Sequence, residues 1–356
     1  MKIRIQKWNL ALISSMLLVF LLLSSCVTSD GGTSGFSSSK KAPQWMEDKD
    51  AVYSPEAYLA EVGEGDSLKA AKSAAAGAIA QIFRTRVTVD MTVSTRYSEI
   101  TGSDGNSQGS NKTTDVAQTI GQTADQTLAN LRYGESWTDS LGRVYVIAYL
   151  DRAETGRLYR QRVLDEDRRV SELLDRARQQ TDPLRRFAFL DAALVVSEAA
   201  GVLLQQLEII DMPMARATIL SNELGALRAA QADQAAGIKV SVQVSGDEDG
   251  RIAALLNDWV AEKGFSASVG GDMLLSAVVS MEKVELNNDY ENLNWELNLA
   301  LMDASGYPVV AIPRQGRSSG VSASAAESRA FLDMTKTIQG EFDKEFVAYL
   351  DSHLTK

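Results

Sequence analysis

The sequence predicts an α+β protein: two small domains, each an antiparallel sheet packed by helices, joined by an α-helical hairpin or three-helix spacer. Three observations carry this. Period-two alternation marks strands at 87–94 and 239–244. A stretch poor in Gly and Pro and rich in Arg, Leu, Ala, Gln and Glu fills 152–236. A second set of strand-like runs follows residue 238 and closes on a helix with Phe331, Met334, Ile338, Phe342, Phe346 and Leu350 at helical spacing.

In chain order, Lys2, Arg4 and Lys7 precede an apolar run over 10–23, which ends on Leu23-Ser24-Ser25-Cys26. The run falls within the roughly 7–15 residues of a signal h-region and short of the roughly 20 a spanning helix needs. Residues 1–25 are therefore expected to be a lipoprotein signal peptide, and no later segment is expected to span a bilayer. Small residues before the cysteine resemble the bacterial lipobox, which makes Cys26 the expected lipid-attachment residue and the link to a membrane. Acyl chains contribute about 0.8 kcal/mol per buried CH₂, so two or more hold a protein stably. By resemblance to such signals, Val27 in place of an aspartate favours the outer over the inner membrane. Ser, Gly and Thr dominate the segment that follows, a composition too polar to fold, so 26–42 is expected to be a tether.

The first domain is expected over 43–151. Gly63-Glu64-Gly65 reads as a tight turn before a helix at 68–83, capped by Asp66 or Ser67 and carrying an Ala-rich packing face. The alternation Val87, Val89, Met91, Val93 against Thr88, Asp90, Thr92, Ser94 reads as a strand with one wet face. A polar loop leads to a hairpin over 137–150 turning at Asp139–Gly142. Helices are expected near 154–180, 183–209 and 214–235, with Pro183 at a first helical position. The second domain, 237–356, is read as strands at 239–244, 273–286, 293–302 and 309–312, with helices at 251–263 and 324–354.

Composition narrows function. The chain has 36 basic and 47 acidic residues, a net charge of −11. Cleavage before Cys26 would remove three basic residues and no acidic one. With basic residues interleaved with acids, as between Arg157 and Arg178, nucleic acid is not an expected partner. A single cysteine excludes an internal disulfide, and a single histidine, His353 near a helix end, speaks against a Ser-His or Cys-His site and against Cys/His zinc. Ser280-Met281-Glu282-Lys283 spells S-x-x-K, but S-D-N and K-T-G companions are missing and a strand would point Ser280 and Lys283 to opposite faces. The acidic run Asp247-Glu248-Asp249 lacks calcium-loop spacing, and the Gly63-x-Gly65 pair lacks the third glycine of a phosphate-binding turn. No catalytic residue, cofactor or metal is therefore expected. Trp45, Tyr58 and Trp137 are the candidates for an interaction surface, since such rings combine apolar area with a polar tip.

Pro43-x-Trp45, Tyr58-Leu59 leading into Val62-Gly63-x-Gly65, the Ala-spaced helix, and the Trp137 hairpin running into Tyr145-Val146-Ile147-Ala148 together resemble the LPP20 family of bacterial lipoproteins. The resemblance covers roughly 43–151. It implies an envelope protein without known catalytic residues, used for assembly or contact with other envelope proteins, as in similar flagellar outer-membrane lipoproteins. The second domain bears a fainter similarity to periplasmic α+β domains of lipoproteins that activate penicillin-binding proteins or assemble at the outer membrane. The expected role is a membrane-anchored structural or protein-interaction component of the cell envelope. Exposed strand edges would allow a homo-oligomer. The alternatives are a cell-wall carbohydrate hydrolase using carboxylates, and a binding module with a cavity for an apolar ligand beside Val87, Val89 or Leu297.

Overall fold

In the computed structural model, the structure describes residues 41–88, 90–103 and 128–354. Cys26 and the segment before residue 41 lie outside these residues.

Two short helices, α1 (Gln44–Glu47) and α2 (Lys49–Val52), lead into strand β1 (Tyr58–Gly65) and helix α3 (Leu68–Arg86). Ser67 caps α3, its hydroxyl accepting from the Ala70 amide at 3.2 Å. Strands β2 (Arg132–Thr138) and β3 (Val144–Asp151) form the expected hairpin, and β3 takes the centre of a three-stranded antiparallel sheet, order β1-β3-β2. Alternation divides β3 cleanly: Val144, Val146, Ala148 and Leu150 face α3, while Tyr145, Ile147 and Tyr149 face the other way.

Two expectations for this domain are corrected. Gly63-Glu64-Gly65 is the end of β1, not a turn. A Cβ on Gly63 would run into the backbone of Ala71 and Ala75, and one on Gly65 would lie 2.6 Å from the Ala70 Cβ. These glycines let α3 lie almost on the strand, with Ala71, Ala75, Ile79 and Phe83 forming its buried stripe. The expected strand at 87–94 is not formed: residues 91–94 are the first turn of helix α4 (Met91–Ser103). Ser94, Tyr97 and Ile100, three residues apart, supply its buried face. That face is invisible when the alternation is read only as far as Ser94.

Helices α5 (Arg152–Gln179), α6 (Pro183–Ile210), α7 (Met212–Arg216) and α8 (Leu224–Ala236) follow. Asp151, Asp182 and Asp211 cap three of them, each accepting from an amide three residues on. Helix α6 is apolar and long enough to cross a membrane by length and composition, a property the sequence reading missed. It is largely buried. Leu184, Phe187 and Ala188 at its start belong to the core of the second domain, and Phe189 through Ile210 supply much of the core of the first. The segment read as a spacer thus contributes to both cores.

The second domain is a five-stranded sheet, order β5-β4-β6-β7-β8, from β4 (Lys239–Ser245), β5 (Ser266–Ala267), β6 (Met273–Val284), β7 (Glu291–Met302) and β8 (Pro308–Gly320). It is mixed rather than purely antiparallel: β4 runs parallel to β5 and β6, because helix α9 (Arg251–Glu262) carries the chain back after β4. The α+β class holds. Met273, Leu275, Ala277 and Val279 alternate inward, as do Trp295, Leu297, Leu299 and Leu301. They meet α9 and the closing helices α10 (Ala323–Lys336) and α11 (Asp343–Ser352). A π-helical turn, Thr337–Phe342, joins those two, placing Ile338, Phe342 and Phe346 in the core. The edge strand β8 carries Pro308, Pro313, Arg314 and Arg317, residues that blunt a free edge.

Candidate interaction surface

The face of the first sheet turned away from α3 is aromatic. Trp45, Ala60 and Ile147 are buried at its centre, with Tyr53, Tyr58, Trp137, Tyr145 and Tyr149 packed around them. The three residues singled out from sequence, Trp45, Tyr58 and Trp137, therefore share one cluster although they come from α1, β1 and β2. Their roles differ. Trp45 is 5% exposed and holds the N-terminal helices on the sheet, whereas Tyr58 and Trp137 are half-buried.

Ring geometry organises the cluster at two ends. Tyr53, Tyr58 and Tyr149 form a triangle with centroids 5.0–5.6 Å apart, two of the contacts edge-to-face. Gly134 on β2 leaves room for the Tyr53 hydroxyl, which a side chain there would displace. Burial, with the neighbouring Tyr149 and Glu135, pushes the Tyr53 phenol above its ordinary range. At the hairpin end Trp137 lies against Tyr145, centroids 5.5 Å apart, next to a turn tip at which Leu141 is 85% exposed. Lys49 fastens α2 to β1, donating to the Ala60 carbonyl at 2.8 Å and pairing with Glu61 at 3.4 Å. Arg152 ties the sheet to α6 by donating to the Ile209 and Ile210 carbonyls at 2.8 and 2.6 Å, which satisfies free acceptors of a helix C-terminus.

Sequence reasoning missed a second polar centre. Arg96 on α4 donates to both carboxylate oxygens of Asp351 on α11, at 2.8 and 3.2 Å, and to Asp191 on α6 at 3.1 Å. Burial alone would depress the guanidinium, but the hydrogen bonds and charges of Asp351 and Asp191 more than offset it, and its pKa is raised. Burial raises both carboxyls, opposed by Arg96. No local signal could find this cluster, because its members lie 95 and 255 residues apart from Arg96. On α5, burial raises and hydrogen bonds lower the Asp167 carboxyl. The Ser221 amide at 2.8 Å and the Asn222 side chain at 3.0 Å prevail, and it sits below its ordinary range.

Residues considered for chemistry are occupied structurally. Lys283 pairs with Glu291 at 2.8 Å across the β6–β7 hairpin. Asp247 accepts from the Ala253 amide at 2.8 Å, and Asp249 pairs with Arg251 at 3.2 Å, both at the start of α9. His353 packs edge-on against Tyr349. Among the described residues no group of three His, Cys, Asp or Glu is placed to hold a metal. Of the residues named for an apolar-ligand cavity, Leu297 is fully buried in the second core and Val87 packs, partly buried, on the first. Residue 89 lies outside the described residues.

Fold and surface together define the first domain as a three-stranded sheet with one helix-packed face and one aromatic face. Residues 43–151 match the family model of the LPP20 lipoproteins. The match supports an envelope lipoprotein and coincides with the span over which the resemblance was read from sequence. Among solved structures, a secreted protein of Helicobacter pylori aligns at 13% identity, covering 83% of this chain and 98% of its own, with a TM-score of 0.37. A minor lipoprotein from Acinetobacter baumannii aligns at 13% identity, covering 32% of this chain and 90% of its own, with a TM-score of 0.22. A comparison with curated proteins returns no match.

Proposed function

We propose that this protein is a membrane-anchored envelope lipoprotein acting as a structural or protein-interaction component, held by lipidated Cys26 and docking partners through the aromatic face of its first domain. The observation that carries the reading is the convergence of Trp45, Tyr58 and Trp137 on one sheet face, within the LPP20-matched domain. Buried Trp45 stiffens that face, and the half-buried Trp137 and Tyr145 offer ring area beside the exposed hairpin tip. Large aromatic side chains dominate the energetics of protein interfaces. Anchoring raises the effective concentration of such a surface at the membrane.

A non-catalytic role is supported by how the carboxylates with shifted pKa are used: Asp191 and Asp351 are bound by Arg96, and Asp167 by Ser221 and Asn222. Each closes a contact between helices or between a helix and a loop, a structural use of a shifted carboxyl.

The test is in-cell photo-crosslinking with a photoreactive phenylalanine in place of Trp137, against the same probe in place of Gln243 on the second sheet. Envelope proteins captured at position 137, absent at 243 and lost with Cys26→Ala, are the expected result. Identical capture at both positions, or none at 137, would overturn the assignment of the aromatic face.

A further inference from the structure

A groove of about 580 Å³ lies on the helical segment, well apart in sequence from the aromatic face. Helices α5 and α8 both pack on α6, and the groove runs between them with α6 as its floor. Leu174, Leu190, Leu227 and Ala230 give it an apolar bed. Its two ends differ. At one, Gln234 donates to the Pro183 carbonyl at 2.9 Å, and Arg186 donates to the Ala177 carbonyl at 3.3 Å, so the end of α8 lies over the start of α6, beside Arg178. At the other, Ser221 and Asn222 are bound by Asp167, next to Glu223. The groove is thus basic at one end and acidic at the other.

Along α8, residues 224–234 span roughly 15 Å at about 1.5 Å per residue. That is close to half of a hydrocarbon core of about 30 Å, the depth one acyl chain fills. The volume falls within the roughly 300–1,000 Å³ of small-molecule sites. Arg178 is paired with Asp175 at 2.5 Å, but both are largely exposed. Such a pair contributes little, so a ligand carboxylate can replace Asp175 at small cost. Glu223 repels an anion at the far end and sets the ligand's direction.

We propose that this groove binds a single-chain fatty acid, its carboxylate on Arg178 and Arg186 and its chain along Leu174, Leu190 and Leu227. The site is independent of the aromatic face and of the docking role proposed for it.

The test uses the chain beginning at residue 27, the expected mature chain without its acylated cysteine, so that neither an attached lipid nor the apolar run 10–23 competes, with the fluorescent fatty acid cis-parinaric acid as probe. Expected are saturable binding, displacement by palmitic acid, and much weaker displacement by its methyl ester or by a lysophospholipid. Arg178→Gln removes a charge-assisted contact and should raise the Kd roughly tenfold. Ala230→Phe should abolish binding with unchanged circular dichroism, while Ala229→Phe, on an exposed position outside the lining, should leave it intact. Absence of probe binding, binding unchanged by Ala230→Phe, or a methyl ester or lysophospholipid that competes as well as the acid would each overturn the proposal.

Discussion

Two glycines a short distance apart in sequence should respond to the same substitution with opposite signs. Gly63→Ala places a Cβ against backbone atoms of Ala71 and Ala75, which cannot rotate away as a side chain could. Helix α3 must retreat from β1, and the buried stripe Ala71, Ala75, Ile79 and Phe83 loses contact along its length. A radial gap of roughly 0.5–1 Å forfeits a quarter to a half of the dispersion well for each contact. Overpacking typically costs about 1–3 kcal/mol, and backbone on both sides puts this case at the upper end, about 3 kcal/mol. Gly77→Ala, within α3 itself, meets nothing within 4 Å and removes a flexible residue from a helix interior, stabilising by about 0.5–1 kcal/mol. Urea unfolding of the chain beginning at residue 27, followed by circular dichroism and by hydrogen exchange of β1 and β3 amides, measures both. With slopes of about 1–3 kcal/mol per molar urea, the Gly63→Ala midpoint should fall by roughly 1–3 M. A Gly63→Ala variant as stable as the parent would refute the claim that close approach, rather than chance, placed glycine there.

Arg96→Met leaves the buried Asp351 and the partly buried Asp191 without their cation and should cost about 3 kcal/mol at neutral pH. Both carboxyls are raised in the fold, so the folded chain binds protons that the unfolded chain does not. Stability should therefore rise as pH falls from neutrality through their folded pKa values, more steeply in the variant, and urea midpoints from pH 7 to 5 read this directly. Asp167→Ala should cost about 1–3 kcal/mol by orphaning the Ser221 and Asn222 donors. Because the Asp167 carboxyl is lowered in the fold, its contribution is present near neutrality and lost as pH falls through that folded pKa, so the difference between parent and Asp167→Ala should shrink in acid. Tyr53→Phe should change stability by less than about 1 kcal/mol, since the ring triangle survives without the hydroxyl, whereas Gly134→Val, which displaces that ring, should cost about 1–3 kcal/mol by thermal unfolding.

Local chemistry alone marked much of the fold. Ser67 and Asp182 announce helix starts through bonds to amides three residues on, Pro183 does so through its fixed φ at a first helical position, and the inward alternation of β6 and β7 needs only the pleat of a strand. The hairpin was visible because its turn residues and both strands are adjacent. The same locality explains the errors. Val87 to Ser94 alternates, yet Tyr97 and Ile100 are buried in the first core and Arg96 finds its partners on α6 and α11, and tertiary packing overrode the short pattern. The glycines at 63 and 65 look like a turn until α3 is seen lying on them.

By itself, then, the sequence determined the α+β class, the acidic character of the chain and the aromatic residues of its candidate surface, because composition, periodicity and turn chemistry act over a few residues, while the LPP20 reading of the first domain rested on the resemblance of its motifs to that family. Only the tertiary structure decided that Trp45, Tyr58 and Trp137 meet on one face, that Trp45 is buried there, that α6 serves two cores, and that Arg96 joins Asp191 to Asp351. Those facts depend on which surfaces exclude water together, and that pairing is fixed by the three-dimensional match of distant segments.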